Sequence, residues 1–330
     1  MRFFRSFLAL SFVIAFNAVT FAESAPEAPL MLVTWYKNSG IALPSLSAWN
    51  IEHIAVYDKG TRPAIQLFNQ KDGIAVSYLL YENYSGKPSS EGCREDGINP
   101  IIESLGTKIS DRKDSVLDGT SGRHVAVTEY RMSLVDGQPL QRNLFGFVGI
   151  EKMCAEIHLS TVESKKKTSA VMDEMVKNFS PDFSYQPKSL DYFLLATLLF
   201  KGSPGESAPY YKEALNHLPD GPEMLKTRRI ITDQLVMALG ISGDLKNSRA
   251  VAEMAIKSDS AYPLNYYNLA CGYAEEGDVK NARLQLQRAF DNRKNLLESE
   301  KMPDPRTDDS FLKLKSNKEF WTFVESLPKN

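Results

Sequence analysis

The chain has 330 residues, of which 43% are hydrophobic and 24% charged, with a net charge of −2. These values fit a globular protein long enough for about two ordinary domains. A charge so near zero offers no basic footprint for nucleic acid, and even Lys165-Lys166-Lys167 reads as a solvated helix start.

Arg2 and Arg5 flank the start of an apolar run from Phe7 to Phe16, and Thr20-Phe21-Ala22 fits the small-x-small pattern of a cleavage site. The run is about ten residues where a membrane span needs about 20, so residues 1–22 are expected to be a secretory signal peptide. No later segment is apolar enough over a sufficient length to span a bilayer. The expected product is exported, periplasmic or secreted after cleavage near Ala22, with no stable membrane insertion. Residues 23–30, rich in Pro and Ala, read as a disordered leader.

From residue 31 to about 160, short apolar or alternating runs stand between turn residues: Met31–Tyr36, Ile65–Phe68, Ile74–Tyr81, His124–Leu134, Leu144–Ile150 and Cys154–Leu159. Asp72-Gly73 and Asp136-Gly137 punctuate them as hairpin turns do. Two helices are expected. One is Asn99–Leu105, opened by Pro100; the other is Thr168–Phe179, whose Val171, Met172, Met175, Val176 and Phe179 make one apolar face. Residues 31–180 therefore predict an α+β domain, a mainly antiparallel sheet with flanking helices. The late strands, the segment Cys154-Ala-Glu-Ile-His-Leu-Ser160 and the amphipathic helix after it resemble the compact sandwiches of the PsbP family of photosystem II.

Cys93 and Cys154 also lie in this half. In an oxidising compartment they can pair, closing a loop of about 60 residues that stabilises by about 3–4 kcal/mol; two free thiols remain the alternative. Cys271 reads as a small buried helix residue. Residues 181–189, with Pro181 and Pro187, form a polar linker.

Beyond the linker, over 190–327, helical periodicity replaces the strands. Gly243-Asp-Leu-Lys-Asn-Ser-Arg249 returns 34 residues later as Gly277-Asp-Val-Lys-Asn-Ala-Arg283, with its Gly at a turn and its Arg read as solvated. Such a period marks helical hairpins stacked into a superhelix. Tyr266, Leu269, Ala270 and Tyr273, then Ala282, Leu286 and Ala289, resemble the tetratricopeptide pattern. Leu235, Leu239, Ser248, Ala252 and Ala255 keep the frame one period earlier, and a fainter unit runs from Leu194 to Pro219. Phe311, Leu312, Leu314, Phe320, Trp321, Phe323 and Val324 predict capping helices at Asp309–Leu314 and Lys318–Leu327.

Cys154, Glu156 and His158 alternate and so share a strand face, a conceivable metal-ligand set without a fourth member. The histidines are dispersed, and no Gly-x-Ser-x-Gly, Walker loop, His-Glu-x-x-His or Cys-x-x-Cys occurs. No catalytic residue, metal or cofactor is assigned. Arrays of this kind bind proteins on the face formed by the first helix of each hairpin. Here that face should carry Asp233, Met237 and Ile241, then Leu264, Tyr267, Cys271, Ala274 and Glu275. This mixture suits a peptide or helix of another protein, and the same residues suit packing against the chain's own cap or N-terminal domain.

The leading expectation is an exported, non-enzymatic protein-binding scaffold holding a partner in an envelope or periplasmic assembly. The alternative is an enzyme or metal-handling N-terminal module with accessory repeats, and a third is self-association through the repeats.

Overall fold

The computed structural model describes residues 29–329 apart from 35–37, 58–61, 85, 134–139 and 163–165. The expected signal peptide, most of the leader and the Asp136-Gly137 turn lie outside the described residues. Strands β1 (Met31–Thr34) and β2 (Ser39–Ala42) form a hairpin of their own. Strands β3 (Asn50–Tyr57), β4 (Arg62–Asn69), β5 (Ile74–Glu82), β6 (Ile109–Asp118), β7 (His124–Met132), β8 (Gln141–Ile150) and β9 (Met153–Val162) build a seven-stranded antiparallel sheet. Its order is β3-β4-β5-β9-β8-β7-β6. The central strands alternate as a sheet between two layers should: Ile74, Val76, Tyr78 and Leu80 are buried, while Ala75, Ser77 and Leu79 are partly exposed.

Helix α1 (Ser90–Leu105) packs on one face, over β7, β8 and β9. Ser89 caps it by accepting the Gly92 N–H. A Cβ at Gly97 would meet the Phe147 ring at 2.6 Å, so glycine permits this close approach. Cys93 and Cys154 form a disulfide with Cα atoms 5.6 Å apart, tying α1 to β9. Helix α2 (Lys166–Lys177) belongs to the opposite face, its Met172 and Val176 in one buried cluster with Val125, Leu144 and Ile157. Arg142 of β8, only 7% exposed, donates to Glu129 at 2.9 Å and to Asp173 of α2 at 2.7 Å. Two carboxylates thus compensate one buried cation and fasten the helix to the sheet.

The sheet is larger than the sequence pattern suggests. The helix expected from Asn99 begins at Ser90, after the Ser89 cap; its first covered residues, Ser90, Gly92 and Cys93, are small and show no apolar period in the sequence. Strand β6 is an edge strand, exposed along almost all its length, so it has no buried face to alternate. His53, one of the dispersed histidines, stands on β3.

Helices α3 (Ser189–Phe200) and α4 (Pro204–Asn216), α5 (Leu225–Ile241) and α6 (Leu245–Ser258), and α7 (Pro263–Glu275) and α8 (Val279–Asp291) form three successive hairpins. A 3-10 turn at Asp309–Leu314 and α9 (Lys318–Ser326) close the series. Gly243 and Gly277 adopt φ of 88° and 79°, and the aspartate after each caps the next helix, accepting from Asn247 and Asn281 N–H. Val236, Ala252 and Leu269 fill the seam between the second and third hairpins.

Neither arginine of the recurring phrase is simply solvated. Arg249 ion-pairs with Glu276 and lies 5.3 Å from the centroid of the Tyr273 ring. Arg283 ion-pairs with Glu319 and lies 5.0 Å from Phe323. Each therefore links its own hairpin to the element that follows, which is why the phrase recurs whole.

Sheet and repeats share buried apolar packing. One cluster contains Val76, Leu80 and Ile157 of the sheet, Leu32 and Val33 of β1, Tyr192, Leu195 and Leu199 of α3, and residues of α4 and α5. Asp182, between α2 and α3, exchanges two backbone hydrogen bonds of 2.9 Å with Gly40 of β2. Tyr185 packs on Gly40, where a Cβ would meet its ring at 2.8 Å.

Candidate partner-binding face

The first helices α3, α5 and α7 present the inner face of the array, and Asn268 of α7 donates to Asp233 of α5 at 2.7 Å across it. Asp233 is half-buried. Burial pushes its carboxyl up to about 7, the Asn268 hydrogen bond works against that, and nearby Glu300 adds to it.

On α7 the expected contact residues face the chain's own C-terminal segment. Leu264 and Tyr267 are 8% and 2% exposed. The Tyr267 hydroxyl donates to Asp308 at 2.9 Å, and the Cys271 Sγ lies 3.8 Å from the same carboxylate. Lys313 reaches both the Glu275 carboxylate, at 3.0 Å, and its carbonyl, at 2.7 Å. Ala274 is buried in the cluster that contains Phe311, Leu314 and Phe320. Burial and the Asp308 charge hold the Cys271 thiol well above its ordinary value, so it is no ready nucleophile.

The first hairpin is covered from the other side. Allowing for the seven extra residues before α5, Tyr192, Ala196 and Phe200 take the places of Asp233, Met237 and Ile241. Tyr192 and Ala196 are fully buried in the cluster that includes β1, and Phe200 packs partly buried against it. Between these two covers lies the end of α5, where Met237 is half-buried and Ile241 is 56% exposed.

Near the start of α5, about three turns before Ile241, stands a polar cluster that the repeat pattern does not reveal. Arg229 forms an ion pair with Asp259 at 2.7 Å and stands 4.8 Å from the Tyr262 ring centroid. The Tyr262 hydroxyl donates to Glu300 at 2.6 Å. Asn268 follows Tyr267 directly and could have been named from that adjacency; Glu300, Asp308 and Lys313 lie beyond the repeat and carry no period to reveal them.

In the sheet, Cys154, Glu156 and His158 do share one face. Cys154 is committed to the disulfide, and the His158 Nε2 is 3.0 Å from Asn143 Oδ1 with its ring stacked 3.9 Å from that of Phe145. The trio does not converge as a ligand set. Among the described residues no group of three or more His, Cys, Asp and Glu is placed to hold a metal ion, and no helix is long and apolar enough to cross a membrane.

No protein-family model and no curated protein matches the chain. Solved structures similar to part of it include tetratricopeptide proteins. YrrB, a tetratricopeptide protein with an unusual peptide-binding site, is 18% identical over 39% of this chain and 61% of its own, at a TM-score of 0.29. The Sgt2 tetratricopeptide domain of Aspergillus fumigatus is 16% identical over 44% of this chain and 88% of its own, at 0.32. A multi-domain immunophilin of Arabidopsis thaliana is 11% identical over 65% of this chain and 93% of its own, at 0.29. At such identities and scores these likenesses establish neither kinship nor function. The tetratricopeptide-like description rests on the chain's own period and its three hairpins, and none of these structures shows a PsbP-like domain for residues 31–180.

Proposed function

We propose that this is an exported, non-enzymatic protein-binding scaffold, whose second hairpin receives an apolar segment of a partner in an envelope or periplasmic assembly. The observation that carries the reading is the exposure of Ile241 beside Met237 on an inner face otherwise covered by β1 and by the C-terminal segment. An apolar pair between two covers favours a short segment with one or two large apolar side chains, because the covers leave no continuous groove along all three hairpins.

A photo-crosslinking residue at position 241 in the native envelope tests this directly. A heterologous adduct is expected from position 241 and none from position 254, on α6, where Met254 is 69% exposed. Equal adducts from both positions, or only self-adducts, would count against the reading.

A further inference from the structure

At the end of the sheet, where the β8–β9 turn meets the segment leading to α3, lies a cavity of about 530 Å³ walled by Arg123, Lys152, Phe183, Ile150 and Met153. Arg123 stands just before β7, where its carbonyl accepts the Gly119 N–H at 2.9 Å. Its guanidinium lies 5.4 Å from the centroid of the Phe183 ring. The Nη1 atom is sealed from solvent, and the guanidinium donates no hydrogen bond to any described residue. Asp182 is near enough to feel its charge, yet directs Oδ1 to the Ser184 N–H and hydroxyl and makes no ion pair with Arg123.

A guanidinium stacked on an aromatic ring still donates in its own plane; with Nη1 sealed, Nε and Nη2 are the donors left to meet a carboxylate through two parallel N–H bonds. The wall also fixes the ligand's charge. Arg123 and Lys152 are opposed by Glu151 and by Asp182, which feels the Arg123 charge, so the wall carries no surplus positive charge and disfavours a dianion. The volume is several times that of a carboxylate, and Ile150, Met153 and Phe183 supply an apolar lining for the remainder. We propose that this cavity binds a small organic monocarboxylate, its carboxylate on Arg123 with Lys152 alongside and its apolar body against Phe183 and Ile150. The site is separate from the repeats and stands whether or not they bind a partner.

NMR titration of the purified protein with 3-phenylpropionate, its uncharged amide and inorganic phosphate tests the assignment. The acid should give saturable shifts at Arg123, Lys152 and Phe183 with a dissociation constant of roughly 1 mM, the strength a fragment of that size reaches. The amide and phosphate should each bind at least about tenfold more weakly, since each lacks one of the two recognised features. Arg123→Gln should weaken the acid about tenfold or more, and Phe183→Leu by a smaller factor, with the remaining resonances unmoved. If Arg123→Gln fails to fold, Arg123→Lys replaces it and should weaken the acid several-fold by losing the planar fork. No saturation by roughly 20 mM acid, equal binding of the amide, tighter binding of phosphate, or an Arg123 variant that binds as the parent does would overturn the proposal.

Discussion

Asp244 and Asp278 do the same work one repeat apart. Each accepts the N–H of the asparagine three residues on, after a glycine that takes the positive φ of the turn. Asp278→Ala should lower the stability of its hairpin, and Asp244→Ala likewise, read as a reduced urea midpoint at unchanged slope. Glu156 and His158 make a second residue-level prediction. Burial raises the Glu156 carboxyl from 4.5 to about 7, against the pull of Arg62, and lowers the His158 imidazole from 6.5 to about 4. Between pH 4.5 and 7 folded Glu156 keeps a proton that the unfolded chain releases, so its contribution to stability falls as pH rises. Between pH 4 and 6.5 the unfolded chain binds the histidine proton more readily, so that contribution rises with pH. The two oppose each other in the parent protein. Glu156→Gln should unmask the histidine, giving stability that climbs from pH 4 to 6.5. Above pH 7 the variant should exceed the parent by on the order of 1–3 kcal/mol, measured by denaturation across that range.

At the scale of elements, the C-terminal segment is as much a part of the array as the hairpins. Phe311 is fully buried, stacked near Phe320 and edge-on to Tyr267. Phe311→Ala should cost about 3–5 kcal/mol, seen in hydrogen exchange as lost protection of α7 and α8 with the sheet unaffected. The disulfide acts at the other end of the molecule. With the cysteines 61 positions apart in sequence, Cys93→Ser with Cys154→Ser should cost about 4 kcal/mol, read as a fall in denaturation midpoint that reductant reproduces in the parent. Elements with one wet and one dry face were legible in the sequence. The Val171, Met172, Met175 and Val176 face announced α2, and the Tyr266 to Ala289 pattern announced α7 and α8. Elements without such contrast were hidden. Strand β6 is wet on both faces, and the first half of α1 meets the sheet through Gly92, Cys93 and Gly97, its large apolar residues coming only from Ile98 onward.

At the scale of the whole molecule, residues far apart in sequence decide which part of the inner face stays open. The period places Asp233, Met237 and Ile241 in register with Tyr267, Cys271 and Glu275, each 34 residues on. No period could show that Asp308 and Lys313 would close on α7, or that β1 would lie against α3, because those contacts join segments outside the repeat. Tyr267 consequently belongs to the cap, and a charge there would test folding rather than recognition. The surviving surface is the Met237–Ile241 end of α5. The most direct measurement compares partner recovery from envelope extract by the parent, by Met237→Glu with Ile241→Glu, and by Met254→Glu on the outer face. Loss of a specific partner from the double variant alone, with its hydrogen-exchange pattern intact, is the predicted result; equal recovery by all three would contradict it.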